Sequence, residues 1–125
     1  MKVIMLSGPS NSGKTTVINE VYKMITGNYF TENKHSDFEC IIQYKQKNIA
    51  FKSAGDYTYF TIDAMNKYSA LDFDILICAH NINKVKPLKE IKKYEHFIIQ
   101  KSQPYKDNES CIIDAEQIIN QILNN

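Results

Sequence analysis

The stretch Gly8-Pro9-Ser10-Asn11-Ser12-Gly13-Lys14-Thr15 constrains the fold of this 125-residue chain more than any other. It follows a short apolar run over Lys2–Ser7 and precedes an amphipathic segment that starts near Lys14 and stops at Gly27. A continuous apolar run is typical of a strand buried on both faces, and a glycine just past a helical pattern is typical of a C-cap. The spacing therefore predicts a buried strand, a tight loop and a helix in immediate succession.

The loop has the pattern G-x-x-x-x-G-K-[ST], and each part of that pattern suits a bound phosphate. Gly8 and Gly13 allow the backbone to turn so that successive amide groups and the positive end of the next helix face the anion. The Lys14 ammonium would reach the β- and γ-phosphates, and the Thr15 hydroxyl would ligate Mg²⁺. Asn11 lies where some such loops need a positive φ, which asparagine tolerates. The residues expected to hold the ligand here are Gly8, Pro9, Ser10, Asn11, Ser12, Gly13, Lys14, Thr15 and Thr16.

In this motif and its strand–loop–helix context, the chain resembles the P-loop NTPases. The motif covers eight residues, and the order of elements extends the resemblance loosely over the rest of the chain. The resemblance implies a nucleoside triphosphate as ligand, Mg²⁺ as cofactor, Lys14 as a catalytic residue and attack of water on the γ-phosphate. The alternative is a glycine- and serine-rich loop that only connects strand to helix, or one that holds only phosphate or sulfate.

The rest of the chain alternates strand-like and helical patterns. The predicted strands are Glu39–Lys45 and Asn48–Lys52, joined as an antiparallel hairpin around Gln46-Lys47, then Asp74–Ala79 and His96–Gln100. The predicted helices run from Tyr57 to Ala70, from Pro87 to Tyr94, and along an apolar face from Ile112 to Leu123. This alternation predicts an α/β three-layer sandwich with a mostly parallel central sheet and one antiparallel hairpin strand, similar to P-loop NTPases, in a single domain over 1–125.

A second acidic residue is expected opposite the loop, because P-loop sites hold Mg²⁺ through one. GTPases place D-x-x-G after a hairpin strand, and this chain has the glycine, Gly55, but Lys52 in place of the aspartate. Asp56 is the candidate replacement, as a metal ligand and a catalytic residue, while the Gly55 N–H would meet the γ-phosphate. The alternative is that Asp56 only caps the next helix. Asp74 precedes its strand and is expected at the far edge of the sheet.

Base selectivity is predicted from Gln100-Lys101-Ser102-Gln103, which stands where GTPases carry N-K-x-D. Gln103 is neutral and matches the guanine edge poorly, so ATP is favoured over GTP. Lys101 is expected to lay its alkyl stem along the base. The alternative is an ordinary solvated loop, and His80 at the next strand end is expected to be a polar edge residue or a substrate contact.

Every one of the fifteen basic residues is lysine, so the chain has no guanidinium to grip phosphates bidentately or to act as an arginine finger. Slow or partner-stimulated hydrolysis is therefore expected. Two other function classes stay open: a phosphotransferase acting on a small molecule or nucleotide, and a non-enzymatic nucleotide-dependent switch or adaptor.

A protein partner is expected at the polar loop 28–37, through Tyr29 and Phe30, with Thr31 or Ser36 reaching Mg²⁺. The alternative is that these aromatic residues pack onto the core. The formal charge of +1 leaves no basic surface for nucleic acid. No apolar run approaches the ~20 residues that cross a bilayer, no leader pattern is present, and the three cysteines lack zinc or redox spacing. We expect a soluble cytoplasmic protein without nucleic-acid or membrane partners.

Overall fold

The computed structural model describes residues 1–124, which form a mixed five-stranded sheet with helices on both faces. The strands are β1 (Lys2–Gly8), β2 (Glu39–Tyr44), β3 (Lys47–Lys52), β4 (Ile75–Asn81) and β5 (Glu95–Gln100). The helices are α1 (Lys14–Thr26), α2 (Thr58–Ala70), α3 (Lys86–Glu90) and α4 (Asn108–Leu123), and a 3₁₀ turn over Ile91–Lys93 continues α3. Within the described residues, every helix is too short or too polar to cross a bilayer.

The strand order is β2-β3-β4-β1-β5. β1 pairs in parallel with β4 and β5, β3 pairs in parallel with β4, and β2 alone runs antiparallel to its neighbour β3. All residues of β1 and β4 are buried, which explains why their sequences are almost continuously apolar. The predicted α/β class, with a mostly parallel sheet and one antiparallel hairpin strand, is confirmed.

Alternation along β1 divides the core between the two faces of the sheet. Ile4 and Leu6 pack in a cluster with apolar residues of α1 and α4, whereas Val3 and Met5 pack with those of α2 and α3. The loops that follow the adjacent strands β1 and β4 therefore leave toward opposite faces. In parallel sheets, such a divergence opens a crevice at the carboxyl ends of the strands.

The hairpin turn lies at Lys45-Gln46, one residue before the predicted position. Lys45 and Gln46 have φ of 50° and 66°. A two-residue hairpin loop of this kind needs positive φ at both positions, because only that backbone follows the twist of the strands. No glycine or asparagine marks these positions, so the composition of the turn did not reveal its register.

β3 is not adjacent to β1, because β4 lies between them in the sheet. The turn at Gly55 nevertheless reaches the same edge, since β3, β4 and β1 are all parallel. Asp74 lies at the opposite edge, where its carboxylate accepts a hydrogen bond from the Asn48 backbone N at 2.8 Å. The predicted position of Asp74, at the edge of the sheet away from the glycine loop, is confirmed.

The close approach of Gly55 to β4 yields a first prediction. A Cβ on Gly55 would lie 2.3 Å from the Ala79 carbonyl oxygen, so the two backbones would have to separate. Gly55→Ala is expected to lower the free energy of unfolding by about 2–3 kcal/mol, measured by urea denaturation.

Gly27→Ala is the matched control, because Gly27 has a φ of 95° and open space around its Cα. It should cost only about 1 kcal/mol, from backbone strain alone. Equal losses in the two variants would contradict a steric role for Gly55.

Candidate functional site

A pocket of about 370 Å³ opens at the carboxyl edge of the sheet, in the crevice beside β1. Residues 11–13 of the glycine loop (residues 8–13) and the first turn of α1 form its floor, and loop 28–37, the turn after β3 and the loop before α4 form its walls. Gly8, Pro9 and Ser10, which were also predicted to hold the ligand, do not line it. The lining residues are Asn11, Ser12, Gly13, Lys14, Thr15, Thr16, His35, Asp37, Ser53, Gly55, Asp56 and Lys106. Most of the predicted ligand-binding residues therefore meet in one place.

The backbone of the glycine loop turns through left-handed conformations at two positions. Asn11 has a φ of 59°, as predicted, and Gly13 has a φ of 94°. Gly8 is different, because it has no positive φ and its lack of a side chain serves packing. A Cβ at Gly8 would lie 2.8 Å from Lys101 Cβ and 3.0 Å from Ser12 Oγ. The predicted reason for Gly8, freedom to turn, was therefore wrong, and close packing replaces it.

The start of α1 offers backbone hydrogen-bond donors that no side chain in residues 1–124 caps. Its N-cap residue, Gly13, provides no capping side chain, and its first turn contains no acidic residue. In contrast, α4 is capped by Asp107, whose carboxylate accepts a hydrogen bond from Ser110 N at 3.2 Å. The hydroxyl of Ser12, in the glycine loop, is buried and has no hydrogen-bond partner in residues 1–124. Uncapped helix amides and a buried free hydroxyl are both suited to an anion.

Lys14 places a buried cation in the same pocket. Its Nζ donates hydrogen bonds to the carbonyl oxygens of Gly8, at 2.9 Å, and Pro9, at 2.7 Å. Burial lowers the pKa of Lys14, and the charges of Asp56 and Asp37 oppose that shift. Its interactions with neutral carbonyl groups leave the ammonium able to exchange them for phosphate oxygens.

Asp37 is one of four pocket residues that were not predicted from the sequence; the others are His35, Ser53 and Lys106. Its Oδ1 accepts hydrogen bonds from Thr15 Oγ1 at 2.5 Å and from Ser53 Oγ at 3.4 Å. Thr15 also lies close to the Ser53 carbonyl oxygen, at 3.5 Å. Because β2 is antiparallel to β3, the residues before it share an edge with the carboxyl ends of the other strands. The predicted hairpin already contained this signal.

Asp56 reaches the pocket from the other side of the glycine loop. Its Oδ1 accepts a hydrogen bond from Ser10 Oγ at 3.3 Å, and Ser10 accepts one from Asn81 Nδ2 at 2.9 Å. The alternative that Asp56 caps α2 is not supported, because the N-cap is Tyr57 and no side chain caps that helix. Asp56 is exposed beside the glycine loop. Asp37, in contrast, contacts Thr15, the residue that is expected to bind the metal.

Loop 28–37 is attached mainly to α1. The Tyr29 hydroxyl donates to Glu20 at 2.7 Å, and the Phe30 backbone N donates to the side chain of Asn19 at 3.0 Å. Phe30 stacks on Phe38 at a centroid distance of 5.1 Å but stays 43% exposed. The aromatic residues thus pack onto the domain, as the alternative predicted, while a part of Phe30 faces solvent.

The two residues of this loop that were predicted to contact Mg²⁺, Thr31 and Ser36, do not line the pocket. Thr31 Oγ1 donates to the Asn33 carbonyl oxygen at 2.6 Å, and Ser36 is absent from the pocket walls. His35 is present, and its Nδ1 lies 2.6 Å from Thr16 Oγ1. Loop 28–37 therefore contacts the first turn of α1 through His35 and Asp37.

Lys101 does not line the pocket, although the sequence analysis assigned it to the base. Its Nζ lies 2.9 Å from Asp114 Oδ2, and both side chains are completely buried. Asp114 also accepts hydrogen bonds from the backbone N and hydroxyl of Ser102. The alkyl stem of Lys101 packs under Gly8, so it supports the glycine loop from below.

His80 is buried behind the glycine loop. Its Nε2 lies 2.6 Å from the Lys84 carbonyl oxygen and its Nδ1 lies 2.9 Å from Ser7 Oγ. Since a carbonyl only accepts, Nε2 carries the proton and Nδ1 accepts from the serine. Burial lowers the pKa of His80, which favours this neutral form. The arrangement is that of a structural histidine rather than a substrate contact.

Comparison with protein-family models, with curated proteins and with solved structures gave no match to this chain. Among the described residues, no three or more His, Cys, Asp or Glu side chains cluster to hold a metal by themselves. Mg²⁺ bound with phosphates needs only one or two protein oxygens, and Thr15 and Asp37 supply such oxygens side by side.

The buried pair of Lys101 and Asp114 yields a second prediction. Asp114→Ala would leave the ammonium buried without its partner and is expected to cost about 3–5 kcal/mol of unfolding free energy. Urea denaturation measures it. The control is Asp107→Ala, which removes the α4 cap and should cost only about 1 kcal/mol. A loss no larger than the control's would contradict a supporting role for the pair.

Proposed function

We propose that this protein is a small P-loop nucleotide-binding protein that holds the phosphates of a nucleoside triphosphate with Mg²⁺. In this proposal, it hydrolyses the γ-phosphate slowly or when a partner stimulates it. The observation that carries the proposal is the meeting, in one pocket, of the uncapped start of α1 with the buried Lys14 ammonium. Both features attract phosphate oxygens, and the free Ser12 hydroxyl adds a further donor.

Phosphate binding would replace contacts that the loop now makes with itself. Lys14 would exchange the Gly8 and Pro9 carbonyl oxygens for oxygens of the ligand, which carry full charge and form stronger hydrogen bonds. The amides of the first turn of α1 would gain acceptors that the protein does not provide. The glycine loop would therefore be more completely hydrogen-bonded with ligand than without it.

The residues of the pocket fit Mg²⁺ because they present hard oxygen atoms. Thr15 would bind the ion through its hydroxyl oxygen while still donating its proton to Asp37. We assign the supporting carboxylate to Asp37 first and to Asp56 second. When bound, Mg²⁺ would bridge phosphate oxygens and neutralise part of their charge.

The catalytic contribution of the protein would be electrostatic. Lys14 would stabilise charge that develops on the transferred phosphoryl group, and the Asp56 carboxylate, held by Ser10, would orient a water molecule. No arginine is available for the transition state. With these groups alone, hydrolysis would be slow. ATP is the proposed nucleotide, since Gln103 matches guanine poorly and Lys101 is engaged with Asp114.

A non-enzymatic switch is the second candidate, favoured by the hydrogen bonds from loop 28–37 to the start of α1. Asp37 contacts Thr15 and His35 contacts Thr16, so a ligand at these threonines would change the attachment of the loop. The half-exposed Phe30 on that loop would then present a different surface to a partner. Measurable binding with negligible turnover would favour this candidate over the enzyme.

The test of the proposed function is calorimetric titration with ATP, GTP and their diphosphates, with and without Mg²⁺. Binding of one triphosphate is expected to depend on Mg²⁺ and to fall by at least about tenfold in Lys14→Ala, because a charged hydrogen bond is lost. Lys89→Ala, which removes the same charge at an exposed position of α3, is the control and should leave binding unchanged. The absence of binding by any of these nucleotides would contradict the proposal.

A metal titration should distinguish the roles of Asp37 and Asp56. At constant triphosphate concentration, Asp37→Asn is expected to weaken the apparent affinity for Mg²⁺ about tenfold, since it removes the charge that supports Thr15. Titration with Mn²⁺, followed by electron paramagnetic resonance, measures metal binding directly and does not depend on hydrolysis. Asp56→Asn should change it much less and should mainly lower hydrolysis. The reverse order would assign the metal to Asp56.

A further inference from the structure

We propose that Lys106 is a second phosphate-contacting cation, and that the pocket therefore selects a chain of two or more phosphates over a monophosphate. This inference rests on the proposed function. It concerns the loop between β5 and α4, to which the resemblance to P-loop proteins assigns no phosphate contact in this chain. Lys106 lines the pocket together with Lys14.

The backbone at Lys106 lies directly against the glycine loop. A Cβ on Gly13 would be 3.5 Å from both the Cα and the N of Lys106. Gly13 is also the N-cap of α1. Lys106 therefore flanks the helix end that would receive the anion, and its flexible four-carbon stem is long enough to extend along the pocket.

The ammonium of Lys106 has no hydrogen-bond or ion-pair partner within residues 1–124. Lys101, five positions earlier, is in contrast locked to Asp114 in the interior. Acidic groups of the pocket lie elsewhere: Asp37 is bound to Thr15 and Asp56 to Ser10. The positive charge of Lys106 is thus available to a ligand.

A second feature of the same wall also points to an anion. Ser12 is next to Gly13 in the chain, lines the pocket and is 1% exposed, and its hydroxyl has no hydrogen-bond partner among the described residues. A buried donor of this kind needs an acceptor that the protein itself does not provide. Phosphate oxygens beside Gly13 would satisfy Ser12 and Lys106 together.

The number of basic residues in the pocket then indicates the class of ligand. Lys14 lines the pocket from the first turn of α1 and Lys106 lines it from the loop before α4, in a chain that has no arginine. One phosphate group cannot neutralise both as well as a longer chain can. The geometry points to a polyphosphate, such as the di- or triphosphate part of a nucleotide.

The test uses Lys106→Asn, because Lys106 has a φ of 64° and asparagine tolerates this backbone. The variant should fold normally, which thermal denaturation verifies. Lys92→Asn is the matched control, since Lys92 is exposed in the 3₁₀ turn before β5, at the opposite edge of the sheet. The probes are Mg²⁺ with inorganic tripolyphosphate, pyrophosphate and orthophosphate, measured by calorimetry.

Lys106→Asn is expected to weaken binding of tripolyphosphate and pyrophosphate about tenfold, and that of orthophosphate by less than about twofold. Lys92→Asn should leave all three unchanged. The inference would be overturned if Lys106→Asn bound the probes with the same affinity as the wild type. It would also be overturned if Lys92→Asn lost as much affinity as Lys106→Asn, or if Lys106→Asn lost affinity equally for all three probes. If the wild type binds tripolyphosphate and Lys14→Ala abolishes this binding, the pocket is a phosphate site whatever Lys106 does. If the wild type does not bind it, the inference about Lys106 fails, while the proposed function is still decided by the nucleotide titration.

Discussion

The parallel pairing of β1 with β4 and β5 is the constraint on which the rest of the structure depends. It buries β1 completely, so the chain leaves the sheet at Gly8 at one defined point. Because β3, β4 and β5 run in the same direction, the segments that follow them arrive at the same edge. The antiparallel β2 adds the segment that precedes it. Four separate segments of the sequence thus meet around one loop, although none of them is adjacent to another in the chain.

The glycine loop is supported from beneath as well as from its sides. Lys101 passes under Gly8, where any side chain would collide with it, and is held there by Asp114 of α4. The Gly8 carbonyl oxygen accepts a hydrogen bond from the Ile82 backbone N at 3.0 Å, which fastens the loop to the end of β4. The glycine loop is therefore held at Gly8 by two separate contacts, whereas Asp37 and Asp56 are exposed residues of the pocket walls.

Local sequence patterns predicted most of the fold, since apolar runs, helical periodicity and the glycine motif each reflect contacts within a short segment. They placed Lys14 and Thr15 in the pocket for the same reason. Long-range features were harder to predict. That Asp37 contacts Thr15 follows from the direction of β2, and that Lys101 pairs with Asp114 depends on how α4 packs. The order of β3 and β4 depends on which strands pair, and no single segment encodes that choice.

The attachment of loop 28–37 to α1 has a thermodynamic consequence. The loop contacts the helix at its first turn, through Thr15 and Thr16, and at its middle, through Asn19 and Glu20. A ligand that changes the first pair of contacts changes the stability of the whole attachment. By linkage, any molecule that prefers one arrangement of the loop must then alter the affinity of the pocket by the same factor, in both directions. The surroundings of the half-exposed Phe30 would then depend on whether the pocket is occupied, although Phe30 does not line the pocket.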